Sequence, residues 1–260
     1  MSVSTPSPSK PSSQIRLAEL PQWQHWIMVP VIVGVITLAL GFAVKLVPSF
    51  ATAEFGADKL LDQNHFAAFT AIALAIDTVL SPPGIILIVV LLFLFLLLVR
   101  RSPVNAVAVC SVATIGWLSS ELFKVIVNQP RPDQSLLHNV LVSADGHSFP
   151  SGHTTFAVAL VIALWFLARD TRWSMLVLIL GVVAIAVVAV SRVYLGVHYP
   201  SDTVGAVLVA VTTISLYTGL WNRYGLRVLN RVPLLDRFGP IPPASAGKGR
   251  HRNVNDQSAT

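Results

Sequence analysis

The sequence predicts an all-α polytopic membrane protein, with six transmembrane helices and an interfacial helix between the first and second spans. Three observations predict it. Hydrophobic residues make up 54% of the 260-residue chain and charged residues only 12%, against about 25% charged in a soluble domain. The apolar residues fall in long runs, and Ile85–Val99 contains no polar side chain at all. The remaining charges sort onto alternating loops, as a chain that crosses a membrane repeatedly requires.

A membrane helix needs about 20 mostly apolar residues. Six windows meet or approach that length: Trp26–Val47, Gly84–Val99, Val104–Phe123, Thr154–Ala168, Ser174–Val190 and Val204–Trp221. The fourth is short, and the residues before it complete the helix. A long leader, a long apolar run and the absence of a small-residue cleavage site mark the first window as an anchor rather than a signal peptide. Phe66–Leu80 is also apolar, but it is short, carries Asp77 and runs into Ser81-Pro82-Pro83-Gly84, a strong breaker. It reads as the interfacial helix.

Six spans place both tails on one side. That side holds Lys10, Arg16, Arg100, Arg101, Arg169, Arg172 and the basic residues from Arg223 to Arg252. The other keeps Lys45, Lys59, Lys124, Arg131 and Arg192, together with Glu54, Asp58 and Asp62. The positive-inside rule puts the first side in the cytoplasm. The net charge of +6 is thereby explained by topology and does not call for nucleic acid. Trp23, Trp26, Trp173 and Trp221 stand near span ends, as interfacial anchors do. The single cysteine, Cys110, excludes an intrachain disulfide and reads as a small apolar residue inside a span. The expected organisation is a disordered cytoplasmic tail over 1–22, a membrane domain over 23–228 and a second disordered tail over 229–260, both tails being rich in Ser, Pro and Gly.

Unusual polar residues gather at span ends on the outer side. Lys124 closes the third span, and Arg131-Pro132 follows it. Pro150-Ser151-Gly152-His153 opens the fourth. Ser191-Arg192 closes the fifth, and His198 and Asp202 open the sixth. These residue types suit phosphoryl transfer, where catalysis is largely positioning plus cationic stabilisation of the transferring group. Lys124, Arg131 and Arg192 supply the charge, the arginines in a bidentate fork. Ser151 and Gly152 precede a helix, whose free N–H groups favour an anion.

Pro200 is placed to be the first residue of a helix. His198 then sits in the turn before it, with Asp202 in the first helical turn. A carboxylate accepting the Nδ1–H of a histidine leaves Nε2 free to attack. His153 has no acidic neighbour in its motif and is the better general acid. Neutral His198 together with protonated His153 implies a bell-shaped pH profile. Glu121 lies one turn from Lys124 and is placed to pair with it. His147 lies near the entrance, Tyr194 and Tyr199 are read as packing residues, and His65, Asp77, His138 and Asp145 carry no argument beyond location.

The pattern K-x6-R-P, P-S-G-H and S-R-x5-H-x3-D resembles the three-part signature of the type 2 phosphatidic acid phosphatase superfamily. Lys124, Arg131 and Pro132 match its first block. Pro150, Ser151, Gly152 and His153 match the second, and Ser191, Arg192, His198 and Asp202 the third. The resemblance implies a six-helix fold, a site at the membrane–water boundary, a phosphohistidine intermediate on His198, and no metal or other cofactor. It implies a lipid mono- or diphosphate as substrate, with an undecaprenyl-type diphosphate first among the candidates. Transfer of the phosphate to a lipid acceptor and a non-enzymatic lipid-binding role are the competing readings. Oligomeric state has no signal in the chain.

Overall fold

A computed structural model describes residues 13–244, and within them the chain is helical. Six helices run alternately up and down: α1 (Met28–Leu46), α4 (Pro82–Leu94), α5 (Pro103–Val127), α6 (Gly152–Ala168), α7 (Ser174–Tyr194) and α8 (Pro200–Leu220). Between α1 and α4 lie two shorter helices, α2 (Pro48–Asp62) and α3 (Ala67–Val79). The helix expected over Phe66–Leu80 is α3, and α2 is a further helix between it and α1. Pro48, Pro82, Pro103 and Pro200 each stand in the first turn of a helix, where the missing N–H costs nothing and the fixed φ favours the start.

Among the described residues five segments are long and apolar enough to cross a membrane: Met28–Leu46, Pro82–Val99, Pro103–Val127, Ser174–Tyr194 and Pro200–Leu229. The second ends in a π-helical turn, and the last runs through one into a short helix α9, Leu226–Leu229. α6 has 17 residues and is shorter than the expected six-span plan calls for. It nevertheless runs the length of the bundle interior, packed against α5, α7 and α8.

α5 is the central column, touching α4, α6, α8 and the N-terminal segment. Small residues set the spacing. An added Cβ at Gly116 of α5 would stand 2.5 Å from the Ala159 Cβ of α6, so the two backbones approach as closely as small-residue membrane interfaces allow. The outer helices turn aliphatic side chains outward, among them Val31, Val35, Ile86, Leu91, Ile179 and Val183, all exposed. A belt of that size has no stable place in water; lipid is the solvent it fits.

The ordered body extends beyond both expected domain boundaries. Ser13–Ala18 forms a 3₁₀ helix, and Leu17 and Leu20 are buried. Asn105 accepts from Leu17 N and donates to Ser13 O, while Trp221 Nε1 donates to Leu17 O at 2.9 Å. Trp221, expected at an interface, is therefore a buried anchor for this segment. Trp23 and Trp173 are exposed. At the other end Pro233–Phe238 forms a 3₁₀ helix and Phe238 packs against the core. The disorder expected for the tails otherwise concerns residues 1–12 and 245–260, which lie outside the described residues.

Candidate active site at one end of the bundle

The three sequence blocks converge because α5, α6, α7 and α8 all present the same end. Lys124 sits in the last turn of α5, Gly152 and His153 in the first turn of α6, Arg192 in the last turn of α7 and Asp202 in the first turn of α8. At this end the helices run two to four residues further than the apolar windows, which is how site residues come to be helical. A cavity of about 310 Å³ opens between them, its lining including Lys124, Arg131, Gly152, His153, Arg192 and His198, with Asp77, Glu121, Trp117 and Ile85 also in the wall.

The loop from α5 to α6 is tied down at both ends. Asn128 closes α5 in the left-handed region (φ 52°), a conformation asparagine tolerates. Ser148 N donates to Gln129 O at 2.8 Å and Ser151 N to Asp202 O at 3.1 Å. Phe149, wholly buried, wedges its ring between α1 and α8: an added Cβ would meet it at 2.8 Å from Gly41 and at 2.3 Å from Gly205. Ser151 then caps α6, its Oγ accepting from Thr154 N at 3.4 Å. Gly152 lies against the lysine; a Cβ there would stand 3.5 Å from Lys124 Nζ. Gly196, at φ +63°, makes the turn that carries the chain from Arg192 to His198.

His198 is buried, 2% exposed, with both ring nitrogens engaged. Nδ1 lies 3.2 Å from Asp202 Oδ2 and 3.4 Å from Ser148 Oγ; Nε2 lies 3.2 Å from Arg131 Nη1. Arginine has no acceptor, so Nε2 carries a lone pair and Nδ1 carries the proton. Asp202 Oδ2 also accepts from Ser148 Oγ and, at 2.9 Å, from Tyr199 N. Burial holds the His198 imidazole well below the usual histidine range, and Arg131, Arg192 and Lys124 push the same way. The ring is neutral, in the tautomer whose unprotonated Nε2 accepts from Arg131 at the wall of the cationic cavity.

Arg131 is positioned by backbone, donating Nε to Asp145 O at 2.9 Å and Nη1 to Val197 O at 2.7 Å. Lys124 donates to Glu121 at 2.7 Å. Arg192 is 3% exposed, donates Nη1 to Asp77 Oδ1 at 2.7 Å, and keeps a buried Nε with no partner among the described residues. An unpaired buried guanidinium donor is costly and suits a site that receives an anion.

All the residues singled out from the sequence for catalysis or phosphate binding come together here: His198, His153, Asp202, Lys124, Arg131, Ser151, Gly152 and Arg192. Asp77 was missed. It stands on α3 and bonds a residue 115 positions away, and no local pattern marks it. Ser148 was missed as well; its place two residues before the P-S-G-H block was the available signal. His147 is exposed, in a short bridge with Pro130, and is not among the residues that line the cavity. Tyr194 packs on Phe69 and His65 and shares a hydrogen bond with Thr70 at 2.6 Å. His138 pairs with Asp62 at 3.0 Å, away from the cavity.

Comparison with known proteins gives the family. A sequence model of the PAP2 superfamily matches residues 105–225, which span every block of the signature. The putative undecaprenyl-diphosphatase YbjG of Escherichia coli K12 is 32% identical over 62% of this chain and 77% of its own length. Undecaprenyl-diphosphatase BcrC of Bacillus subtilis is 34% identical over 37% of this chain, and the match spans 47% of BcrC. The crystal structure of a transmembrane PAP2-type phosphatidylglycerolphosphate phosphatase from B. subtilis superposes with a TM-score of 0.62 over 74% of this chain and 94% of that one, at 22% identity. The chain belongs to the PAP2 superfamily of phosphate hydrolases, and its apolar helices make it an integral membrane protein.

Proposed function

We propose that the protein is a lipid phosphatase that transfers the phosphate of a lipid mono- or diphosphate to His198 and then to water. One observation carries the reading: the buried, neutral His198 presents its unprotonated Nε2, where Arg131 donates to it, at a cavity lined by Lys124, Arg131 and Arg192, with Nδ1 held by Asp202. The three cations bind the phosphoryl oxygens and stabilise the charge that spreads over them in transfer. Asp202 steadies the imidazolium that forms as Nε2 attacks. His153 protonates the leaving oxygen and later takes a proton from the attacking water. Among the described residues no group of three His, Cys, Asp or Glu side chains is spaced to hold a metal ion.

The relatives named as undecaprenyl-diphosphatases favour an undecaprenyl-type diphosphate as substrate. In this reading α6 also crosses the membrane, making six spans. Both termini are cytoplasmic, and the site faces outward from the cell membrane, as the distribution of Lys and Arg supports.

Phosphate release from a panel of lipid phosphates by the detergent-purified protein in EDTA, with His198→Ala alongside, tests the proposal. Release that disappears in the variant supports it. Labelled lipid in place of free phosphate would make the protein a phosphotransferase, and release that survives in the variant would remove His198 as nucleophile.

A further inference from the structure

Asp77 stands between the two site residues that handle opposite ends of the scissile bond. Its Oδ1 is 2.7 Å from Arg192 Nη1 and 3.8 Å from His153 Nε2, and its main-chain oxygen is 3.3 Å from the same Nε2. It lines the cavity and belongs to α3, outside the region matched by the superfamily. The other ring nitrogen of His153, Nδ1, has no hydrogen-bond partner among the described residues.

We infer that Asp77 is the positioning residue of the general acid, forming with His153 a second carboxylate–histidine pair opposite the one formed by Asp202 and His198. The inference rests on the phosphatase reading above. Its physical basis is charge. Lys124, Arg131 and Arg192 all line the same cavity as His153 and oppose an imidazolium there. The arriving phosphate offsets part of that repulsion, and Asp77 is the carboxylate within 4 Å of the ring that offsets more. With Nε2–H held on the Asp77 side, Nδ1 is the nitrogen left to face substrate.

The proton balance follows. As His198 Nε2 bonds to phosphorus and the P–O bond to the leaving group breaks, the proton on His153 Nδ1 moves to the leaving oxygen. His153 is left neutral, with Nε2–H retained. In the second step water attacks the phosphorus, its proton returns to Nδ1, and the P–N bond breaks to release phosphate and His198.

A leaving group that departs readily as an anion needs no acid, whereas an alkoxide does. Dodecyl phosphate and p-nitrophenyl phosphate, assayed with the full-length protein in the same micelles, therefore separate the roles. Asp77→Asn is expected to lower kcat on dodecyl phosphate by about 100-fold and on p-nitrophenyl phosphate by less than about 10-fold, with KM for both little changed. Asp77→Glu should restore most of the loss. In a His153→Gln background Asp77→Asn should cost nothing further, which holds the test together even where Asp77→Asn alone folds poorly. Equal losses on the two substrates would assign Asp77 to Arg192 or to packing and overturn the inference, as would no loss on either. A wild-type protein inactive on both would instead count against the phosphatase reading itself.

Discussion

The guanidinium Nη1 of Arg131 lies 3.2 Å from the Nε2 of His198, and a guanidinium can only donate. This contact does two things at once. It fixes which nitrogen carries the lone pair, and it places a permanent cation where a protonated His198 would have to form. Burial is the larger cause of the depressed His198 pKa, and Arg131 is the next.

The acid limb of kcat/KM follows from that shift. The group's folded pKa lies below the ordinary histidine value of about 6.5, so His198 stays neutral as pH falls through 6.5 and protonates only further down. Activity is therefore expected to persist well below pH 6.5 before falling. Arg131→Gln should raise the acid limb partway toward the ordinary value, besides weakening substrate binding. A pH–rate profile of the two proteins checks it; an acid limb at about 6.5 in the wild type would contradict the neutral, buried imidazole.

Asp202 holds the His198 tautomer through Nδ1, and Ser148 holds Asp202. An amide at position 202 offers its NH₂ to a ring nitrogen and favours the wrong tautomer. Asp202→Asn should lower kcat by about 10⁴-fold, the size of the effect where a triad aspartate is so replaced. Ser148→Ala removes one hydrogen bond and should cost about 10-fold, the equivalent of one net hydrogen bond. Steady-state kinetics with KM little changed would match both; a Ser148→Ala protein as impaired as Asp202→Asn would mean the serine is more than a support.

Asp58 of α2 is buried, and neither of its oxygens has a partner among the described residues. Burial first, and then the nearby Asp202 and Glu54, push its carboxyl up to about 8. The folded state thus keeps a proton that the unfolded chain loses near pH 4. Stability contributed by this group is full below pH 4, declines as pH rises from there to about 8, and is flat beyond. Asp58→Asn, which copies the neutral acid, should match wild type in thermal unfolding at pH 4 and exceed it at pH 9. An Asn variant less stable at pH 9 would show that the carboxylate is used in its charged form.

Gly152 leaves open the space beside Lys124, which the proposed reaction fills with the phosphate. Gly152→Ala should weaken inhibition by vanadate while leaving the melting temperature unchanged or raised, since alanine is the better helix residue by about 0.5–1 kcal/mol. Unaltered vanadate inhibition would mean that the anion does not approach this backbone.

The spans were legible because lipid imposes one simple rule on composition, and the long run Ile85–Val99 obeys it without exception. The candidate site was legible because His153, Arg192, His198 and Asp202 are costly residues at the ends of such runs, and the helices bring those ends together. What escaped depends on distant contacts. α2 is only moderately apolar, and its place is set by Glu54 accepting from Ser201 N and Oγ at 2.9 and 2.7 Å and by Asp62 capping His138 and Asn139. Ser13–Ala18 belongs to the expected tail in sequence, and its place is set by hydrogen bonds with Ser102, Asn105, Leu167 and Trp221 and by the burial of Leu17. Asp77 looked like a flaw in an apolar helix until Arg192 stood beside it.

The central claim is that His198 takes the phosphoryl group. The most direct measurement is rapid quenching of the protein with a ³²P-labelled lipid phosphate, followed by mapping of the labelled peptide. The account predicts acid-labile, alkali-stable label on the peptide containing His198, absent in His198→Ala and accumulating in any variant that slows hydrolysis of the intermediate. Label on another residue, or turnover without labelled protein under conditions where the second step is slow, would contradict it.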